Sequence, residues 1–396
     1  MIWSPGQERG LDAVNRWKKS RSKPFFLLAG YAGTGKSTLA RHFAEGAGNV
    51  LYAAYTGKAA HVLRRTGIDA TTIHRLIYTP RDKCDQHLRD LQAERARLAR
   101  QKHLTDLEAT LADLDAKIAA EVANLRRPIF TLNTESILWD ADLLILDEYS
   151  MIDEQTGRDL LSFKVPILAL GDPGQLPPVQ GVRFFHQEPD VLLEEIHRQA
   201  AGDPIIRLAT LARLGKPIPC GQYGPSRVLN RDLTSNYELG RLVTETDQLL
   251  VGLNATRRHF NLEIRKTRGY ASDLPVRGDK LVCLRNNHQE GLMNGQTWDV
   301  VRSSTKNGFL LLSLTNEDGN KLTTLAHPNS FRENHLGTFE RDVANEFDYG
   351  YALTVHKAQG SQWDSVVLVD EWHGSSRAEW LYTGITRAAK SITILQ

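Results

Sequence analysis

Gly30-Tyr-Ala-Gly-Thr-Gly-Lys-Ser37 has the spacing G-x-x-x-x-G-K-[ST]. In that pattern glycine amides turn inward around an anion, a lysine reaches the β- and γ-phosphates, and a hydroxyl holds Mg²⁺. The apolar run Phe25–Ala29 before it reads as a strand, and Thr38–Glu45 after it reads as a helix. The loop then sits at a helix N-terminus, where the dipole and free amides favour phosphate. Lys36 and Ser37 take the lysine and hydroxyl roles, so the expected ligand is a nucleoside triphosphate. A second chemical pair, Asp147-Glu148, ends the apolar run Leu143-Leu-Ile-Leu146. Asp147 is expected to hold Mg²⁺ through water, and Glu148 to orient and deprotonate the attacking water. Val165–Asp172 is the next buried strand, and Gln175 just beyond it can hydrogen-bond the γ-phosphate or that water. Gln7, opening a helix predicted to begin at Glu8, offers the paired amide donor and acceptor that suit adenine.

These groups need elements to position them. Val50–Tyr55 reads as a second buried strand, with Thr56-Gly-Lys-Ala-Ala60 at its carboxyl end and Thr71-Thr-Ile-His74 beyond. Ligands of doubly wound sheets sit at carboxyl ends of strands, so Thr56, Lys58 and His74 are placed to meet a phosphate backbone. Taken singly, each also fits an ordinary surface position.

Residues 81–127 change character. Leu104, Leu107, Leu111, Leu114, Ile118, Val122 and Leu125 repeat at helical spacing, out of phase with Leu88, Leu91 and Leu98. Thr105-Asp-Leu-Glu108 reads as a capping box between the two sets. Arg81–His103 carries seven Lys/Arg and four Asp/Glu, against one and five over Leu104–Leu125. An antiparallel helical hairpin is expected, with one continuous helix as the alternative. A Pro- and Gly-rich stretch, Gly215–Pro225, marks the main boundary. Beyond it buried strands resume at Gln248–Leu253, Ser365–Val369 and Ser391–Leu395, without a second phosphate loop. Within Pro275–Leu336, short alternating runs separated by Asn294-Gly, Asn307-Gly and Asp318-Gly-Asn predict a small antiparallel barrel.

At 396 residues, 41% hydrophobic and 24% charged, the chain has room for two or three cores. A net charge of +2 means that a polyanion must be met by local patches rather than by bulk charge. Cys84, Cys220 and Cys283 show neither zinc spacing nor a disulfide framework. The sequence has no run of the ~20 apolar residues a membrane span needs, and no signal-peptide pattern at its start. A soluble cytoplasmic protein is expected.

In this order the stretches resemble superfamily 1 helicases, specifically the 5′-to-3′ branch of RecD, Dda and Pif1, over almost the whole chain. Gln7 matches the adenine-reading motif; Gly30, Ala32, Gly33, Thr34, Gly35, Lys36, Ser37 and Thr38 belong to motif I. Tyr55–Ala60 with Thr72-Ile-His74 resembles the Ia region, Leu146–Met151 motif II, and Gly171–Pro178 motif III. Tyr351–Ser361 looks like motif V, and Leu381–Ala388 motif VI.

The resemblance implies an α/β fold of two RecA-like P-loop motor domains. The first (1A) would span 1–79 and 128–200, with a helical-hairpin insertion (1B) at 80–127. The second (2A) would span 201–274 and 337–396, with an SH3-like β-barrel insertion (2B) at 275–336. Arg198 and Arg387 would be arginine fingers, and Gly360 would lie close to the γ-phosphate. Thr354, His356 and Lys357 would face single-stranded DNA together with Thr56, Lys58 and His74. ATP and Mg²⁺ are the implied cofactors. The implied partners are single-stranded and duplex or forked DNA, with a replisome or single-strand-binding protein beside them. A monomer is implied, and the lack of an accessory N-terminal domain fits a phage-type member in a host cytoplasm. The implied activity is ATP-driven unwinding with 5′-to-3′ translocation. An RNA helicase or nucleic-acid-stimulated ATPase of the same superfamily, and an ATP-gated clamp without processive motion, stay open as alternatives. Two features depart from the family. Tyr55 stands where a proline is usual, and 81–127 reads helical where the family carries an aromatic β-hairpin pin. Tyr78 and Phe130 flank that segment and suit either base stacking or a core.

Overall fold

The apolar runs of the first half become parallel strands because helices cover both of their faces. The protein is described by a computed structural model over residues 3–45, 48–81, 86–99, 107–126, 129–178, 182–195, 202–287, 290–332 and 344–396. Ser4 and Gln7 form a capping box on α1 (Pro5–Ser20), and β1 (Phe25–Gly30) then runs through the phosphate loop into α2 (Lys36–Ala44). Next come β2 (Val50–Ala54), α3 (Gly57–Arg65), β3 (Ala70–Thr72) and α4 (Ile73–Ile77), the helices capped by Thr56 and Thr72. β4 (Tyr78–Arg81) leads to α5 (Gln86–Leu98) and α6 (Leu107–Arg126), and β5 (Ile129–Leu132) returns antiparallel to β4. The two helices pack together, with Leu91 and Leu114 buried and Arg95 bonded to Asp115. β6 (Leu143–Asp147), α7 (Glu154–Ser162), β7 (Ile167–Gly171) and β8 (Val191–Leu193) complete the first lobe.

Its six-stranded parallel sheet runs β3-β2-β6-β7-β1-β8. The order makes β6, β7 and β1 neighbours. The phosphate loop, Asp147-Glu148 and the Asp172–Gln175 loop therefore leave the same edge of the sheet side by side.

The second lobe opens with α8 (Pro204–Arg213), β9 (Gly221–Tyr223) and β10 (Ser226–Leu229). α9 (Asn236–Glu245), β11 (Gln248–Val251) and α10 (Asn254–Thr267) follow. An inserted antiparallel sheet contains β12 (Lys280–Cys283), β13 (Thr297–Lys306), β14 (Phe309–Thr315), β15 (Lys321–Ala326) and β16 (Phe347–Tyr349). β17 (Ala352–Thr354), β18 (Trp363–Val369), α11 (Arg377–Ile385) and β19 (Ala388–Leu395) return to the lobe. Its own sheet runs β17-β11-β18-β19-β10-β9 and is parallel except for the β9–β10 edge. Two RecA-like sheets are what the family resemblance implied, and between β11 and β17 the second lobe carries α10 followed by the inserted sheet.

The inserted sheet runs β15-β14-β13-β12-β16, and a bulge between Val300 and Arg302 adds curvature. Its edges meet where Asn345 donates to the Leu325 carbonyl at 2.8 Å, so the sheet curls toward a barrel. β16, at 347–349, lies beyond the expected limits 275–336 and pairs with β12. A three-residue strand carries too little alternation to be read from sequence.

A buried ion pair anchors this insertion to its lobe. Arg265 of α10 meets Asp279 in a two-point contact, with N–O distances of 2.9 and 3.1 Å, and the two residues are 3% and 0% exposed. Asp279 also accepts from Tyr351 Oη and the Val276 amide, while Arg265 donates to the Ser272 and Leu274 carbonyls. Removing one partner strands a buried charge, which costs about 3–5 kcal/mol. Asp279→Ala should therefore lower the unfolding free energy by about that much in urea titration, and a loss below about 1 kcal/mol would refute the anchor.

Candidate nucleotide cleft and strand interface

The phosphate loop owes its shape to glycines at left-handed positions. Gly33 and Gly35 both have φ of 80°, and a Cβ on Gly30 would stand 2.6 Å from Thr34 Oγ1. Lys36 curls over the loop, with Nζ donating to the carbonyls of Gly30 and Tyr31. Thr34 Oγ1 also donates to Tyr31, at 2.8 Å. Ala32 presents its amide outward, and Thr38 is exposed on the first turn of α2. The side chain of Ser37 lies outside the described residues. Gln7 is 2% exposed and built into the loop's support: its Oε1 accepts from Ser4 N, and its Nε2 donates to the Thr34 carbonyl, both at 3.0 Å. The amide expected at adenine thus also links α1 to the phosphate loop.

Asp147 and Glu148 end β6 beneath that loop. Asp147 Oδ1 accepts from the Glu148 amide at 2.9 Å, and burial raises the Asp147 pKa. Glu148 has φ of 57°, and burial together with the neighbouring Asp147 charge pushes its pKa up to about 7. Arg387 and Lys36 act on Glu148 in the opposite sense. Cations from both lobes therefore converge on this carboxylate. Gln175 is buried, and its Oε1 has no partner among the described residues, as expected of a group that meets a ligand or water.

The second lobe closes over the first through its helix α11. Tyr382 Oη accepts from the Ala32 amide at 2.8 Å and donates to Asp172. Leu176 N donates to Thr383 Oγ1 at 2.9 Å, and Gln359 Nε2 donates to the Leu176 carbonyl at 3.0 Å. Arg213 of α8 lies 3.7 Å from the centre of the Tyr31 ring. Arg387 is buried and held by the Thr383 and Ser361 carbonyls and by Thr386 Oγ1, each at 3.1 Å. Arg198 lies outside the described residues. Tyr382, Asp172 and Arg213 went unmarked in the sequence, because their partners lie on distant segments.

The residues expected at a strand are spread over both lobes. Thr56 caps α3, its Oγ1 accepting from Ala59 N. Gly360 has φ of 73°, and a Cβ there would stand 2.6 Å from Thr56 Oγ1. Gly360 thus seats the second lobe against α3. Lys58 is buried, with its ammonium 4.7 Å from the centre of the Trp363 ring and 3.6 Å from Glu317. Thr354 ends β17 and caps the next turn, accepting from Lys357 N, and Lys357 is exposed. His356 packs on Trp372, and burial shifts it toward the neutral form. His74 lies apart from these groups, between the rings of Tyr55 and Tyr78, and is shifted the same way. Tyr78 donates its hydroxyl to Asp159, which ties it to α7. The Phe130 side chain lies outside the described residues.

Residues 5–220 match the AAA domain family, and residues 349–395 match the UvrD-like helicase C-terminal domain. The chain is 26% identical to the ATP-dependent RecD2 DNA helicase of Deinococcus radiodurans, an alignment covering 91% of this chain and 45% of that protein. It is 24% identical to the conjugal transfer protein TraA of Rhizobium radiobacter over 59% of this chain and 22% of that protein. The chain thus spans less than half the length of the curated relatives it matches. Its fold is similar to that of a Bacteroides Pif1 helicase in complex with ADP-AlF3 and single-stranded DNA, with a TM-score of 0.55 and 17% identity over 99% of this chain and 92% of that one. The Candida albicans Pif1 helicase gives a TM-score of 0.52 at 17% identity, over 100% of this chain and 94% of that one.

Tyr382 couples the phosphate loop to the opposite lobe, and a hydrogen bond to a charged group contributes about 1.5–3 kcal/mol. Tyr382→Phe should therefore loosen the cleft and speed amide exchange across the peptide around Ala32, read by mass spectrometry. Unchanged protection would show that closure does not depend on this hydroxyl.

Proposed function

We propose that this chain, which belongs to the AAA domain family and to the RecD and Pif1 type of superfamily 1, is an ATP-driven DNA helicase that translocates 5′ to 3′ on one strand. The observation that carries the reading is the shared cleft, in which Tyr382 of the second lobe meets the Ala32 amide of the phosphate loop and the charges of Lys36, from the first lobe, and Arg387, from the second, both act on Glu148. A catalytic carboxylate bracketed by cations from two lobes works fully only when both are in place, which couples hydrolysis to lobe closure.

Glu148 would take the proton of the attacking water. A pKa near neutrality suits a base that must accept a proton and release it in each cycle. Gln175 Oε1 would align that water, and Arg387, with Arg198, would stabilise charge developing on the γ-phosphoryl group. Lys36 would leave the loop carbonyls for the phosphates. Asp147 and Ser37 would hold Mg²⁺, which supplies neutralisation of the β- and γ-phosphates. Gln7, tied to Thr34, is placed to report adenine to the phosphate loop. Thr56 and Lys58 on one lobe, with Thr354 and Lys357 on the other, would grip successive phosphates of the strand.

Two substitutions test the chemistry. Arg387→Ala should lower the ATP turnover number on the order of 10³-fold while ATP still binds. Glu148→Gln should lower it by about 10² or more at unchanged nucleotide affinity, and near-normal hydrolysis would remove the base assignment. Strand displacement tests the function itself. A duplex with a 5′ tail should be opened in the presence of ATP and one with a 3′ tail should not. Stimulation of hydrolysis by single-stranded RNA in preference to DNA would redirect the reading to RNA. Strand binding without displacement would reduce it to a clamp.

A further inference from the structure

α3 carries two cationic side chains and a histidine on one face. Lys58, His61 and Arg65 recur at helical spacing, so they point the same way from the carboxyl end of β2. Opposite them stands the turn between β14 and β15, which belongs to the other lobe's inserted sheet. Glu317 Oε1 lies 3.6 Å from Lys58 Nζ. Asp318 Oδ2 lies 2.8 Å from His61 Nε2, and its Oδ1 lies 3.8 Å from Arg65 Nε.

The turn that carries the two acids is firmly built. Asn316 Oδ1 accepts from the amides of Asp318 and Asn320, at 3.1 and 2.9 Å, and Gly319 takes φ of 79°. The carboxylates are therefore held at α3 by the fold rather than by long flexible side chains. Two of the three contacts are weak, because separations of 3.6 and 3.8 Å lie beyond hydrogen-bond range, and only the His61–Asp318 pair is close.

Lys58 stands out in this group. It is 6% exposed, and its ammonium has no hydrogen-bond partner among the described residues. A buried ammonium with three donors and one distant carboxylate is under-satisfied. It lines an open cavity of about 830 Å³ between the lobes, where Arg65, Arg268 and Lys280 stand with the carboxylates of Asp247, Asp299 and Asp364 as well as Glu317. That volume leaves room for a polyanionic chain beside the acidic turn.

We propose that His61 and Arg65 extend the strand-binding surface begun by Thr56 and Lys58, and that Glu317 and Asp318 occupy this surface as phosphate substitutes when no strand is bound. The ligand class is the phosphodiester backbone of a single strand, and the proposal rests on the strand-translocating function above. A bound strand would displace the Glu317 and Asp318 carboxylates and offer Lys58 the close oxygens it lacks. The displaced turn would then release the inserted sheet from the first lobe, so strand binding and freedom of that sheet rise together.

The test uses the full chain and a fluorescent fifteen-nucleotide oligothymidylate, followed by anisotropy across a range of NaCl concentrations. Glu317→Gln combined with Asp318→Asn should tighten binding by about 3- to 10-fold at fixed salt, because the competitor charge is gone. Arg65→Ala should reduce the slope of log Kd against log salt by about one, as expected for one lost phosphate contact. Unchanged or weaker binding by the acid-to-amide variant would make the turn a structural tether and overturn the proposal. An unaltered salt slope for Arg65→Ala would overturn it as well, even if the other variant failed to fold. Wild-type protein that binds no oligonucleotide at all would instead refute the underlying strand-binding function.

Discussion

The structure depends on a single hydroxyl group reaching across a cleft. Tyr382 bridges the Ala32 amide of the phosphate loop and the Asp172 carboxylate, two loops that leave neighbouring strands of the other lobe. Burial and the Asp172 charge raise the phenol's pKa, so it stays a donor at any ordinary pH. Because one atom touches both loops, a change at the phosphate loop is felt at the start of the Gln175 segment. The same helix carries Thr383, which accepts from Leu176 and also gives its carbonyl to Arg387. Tyr382 and Arg387 are thus both tied to this helix, the one within it and the other through the Thr383 carbonyl.

What could be read from sequence was local. The phosphate loop, the Asp147-Glu148 pair and the long apolar strands are each contained in a few consecutive residues, so their chemistry and period are visible there. Tyr382 is not, because its partner Ala32 is 350 positions away and nothing within Leu381-Tyr-Thr-Gly marks it. The same holds for Arg213 over Tyr31 and for Lys58 over Trp363. Short strands were equally hidden: β9, β16 and β17 have three residues each, too few to show a period. Gly360 was legible as a special residue, but not where its backbone lies. Its positive φ and its approach to Thr56 come from the packing of one lobe on the other.

Backbone strain is present at the candidate base. Among the described residues, Glu148 is one of four non-glycine residues with positive φ, the others being Arg21, Lys164 and Asn307. A left-handed residue costs about 1–2 kcal/mol, and here it turns the side chain out of the line of β6. The Asp147 carboxylate offsets part of that cost by accepting the Glu148 amide. The arrangement keeps two acidic groups next to each other without aiming them at the same point. One stays under the phosphate loop, and the other is left where the cations of both lobes can reach it. Strain of this kind persists only where the surroundings fix it.

The strand side works by position more than by titration. His74 and His356 both lie against aromatic rings and are shifted toward neutrality by burial, so neither is suited to supply a steady positive charge. Lys58 and Lys357, one on each lobe, are the cations among the residues expected to face a strand. Lys58 is pinned by the Trp363 ring of the opposite lobe, so its reach depends on how far the lobes have closed. Thr56 and Thr354 sit at the carboxyl ends of β2 and β17 and cap the turns that follow them, which fixes each hydroxyl to its own sheet. Two groups fixed to two sheets change their spacing whenever the sheets move relative to each other. Under the proposed function, the contact at Tyr382 and the hydroxyls of Thr56 and Thr354 would be opposite ends of one lever, through which nucleotide chemistry at one end would become displacement along a strand at the other.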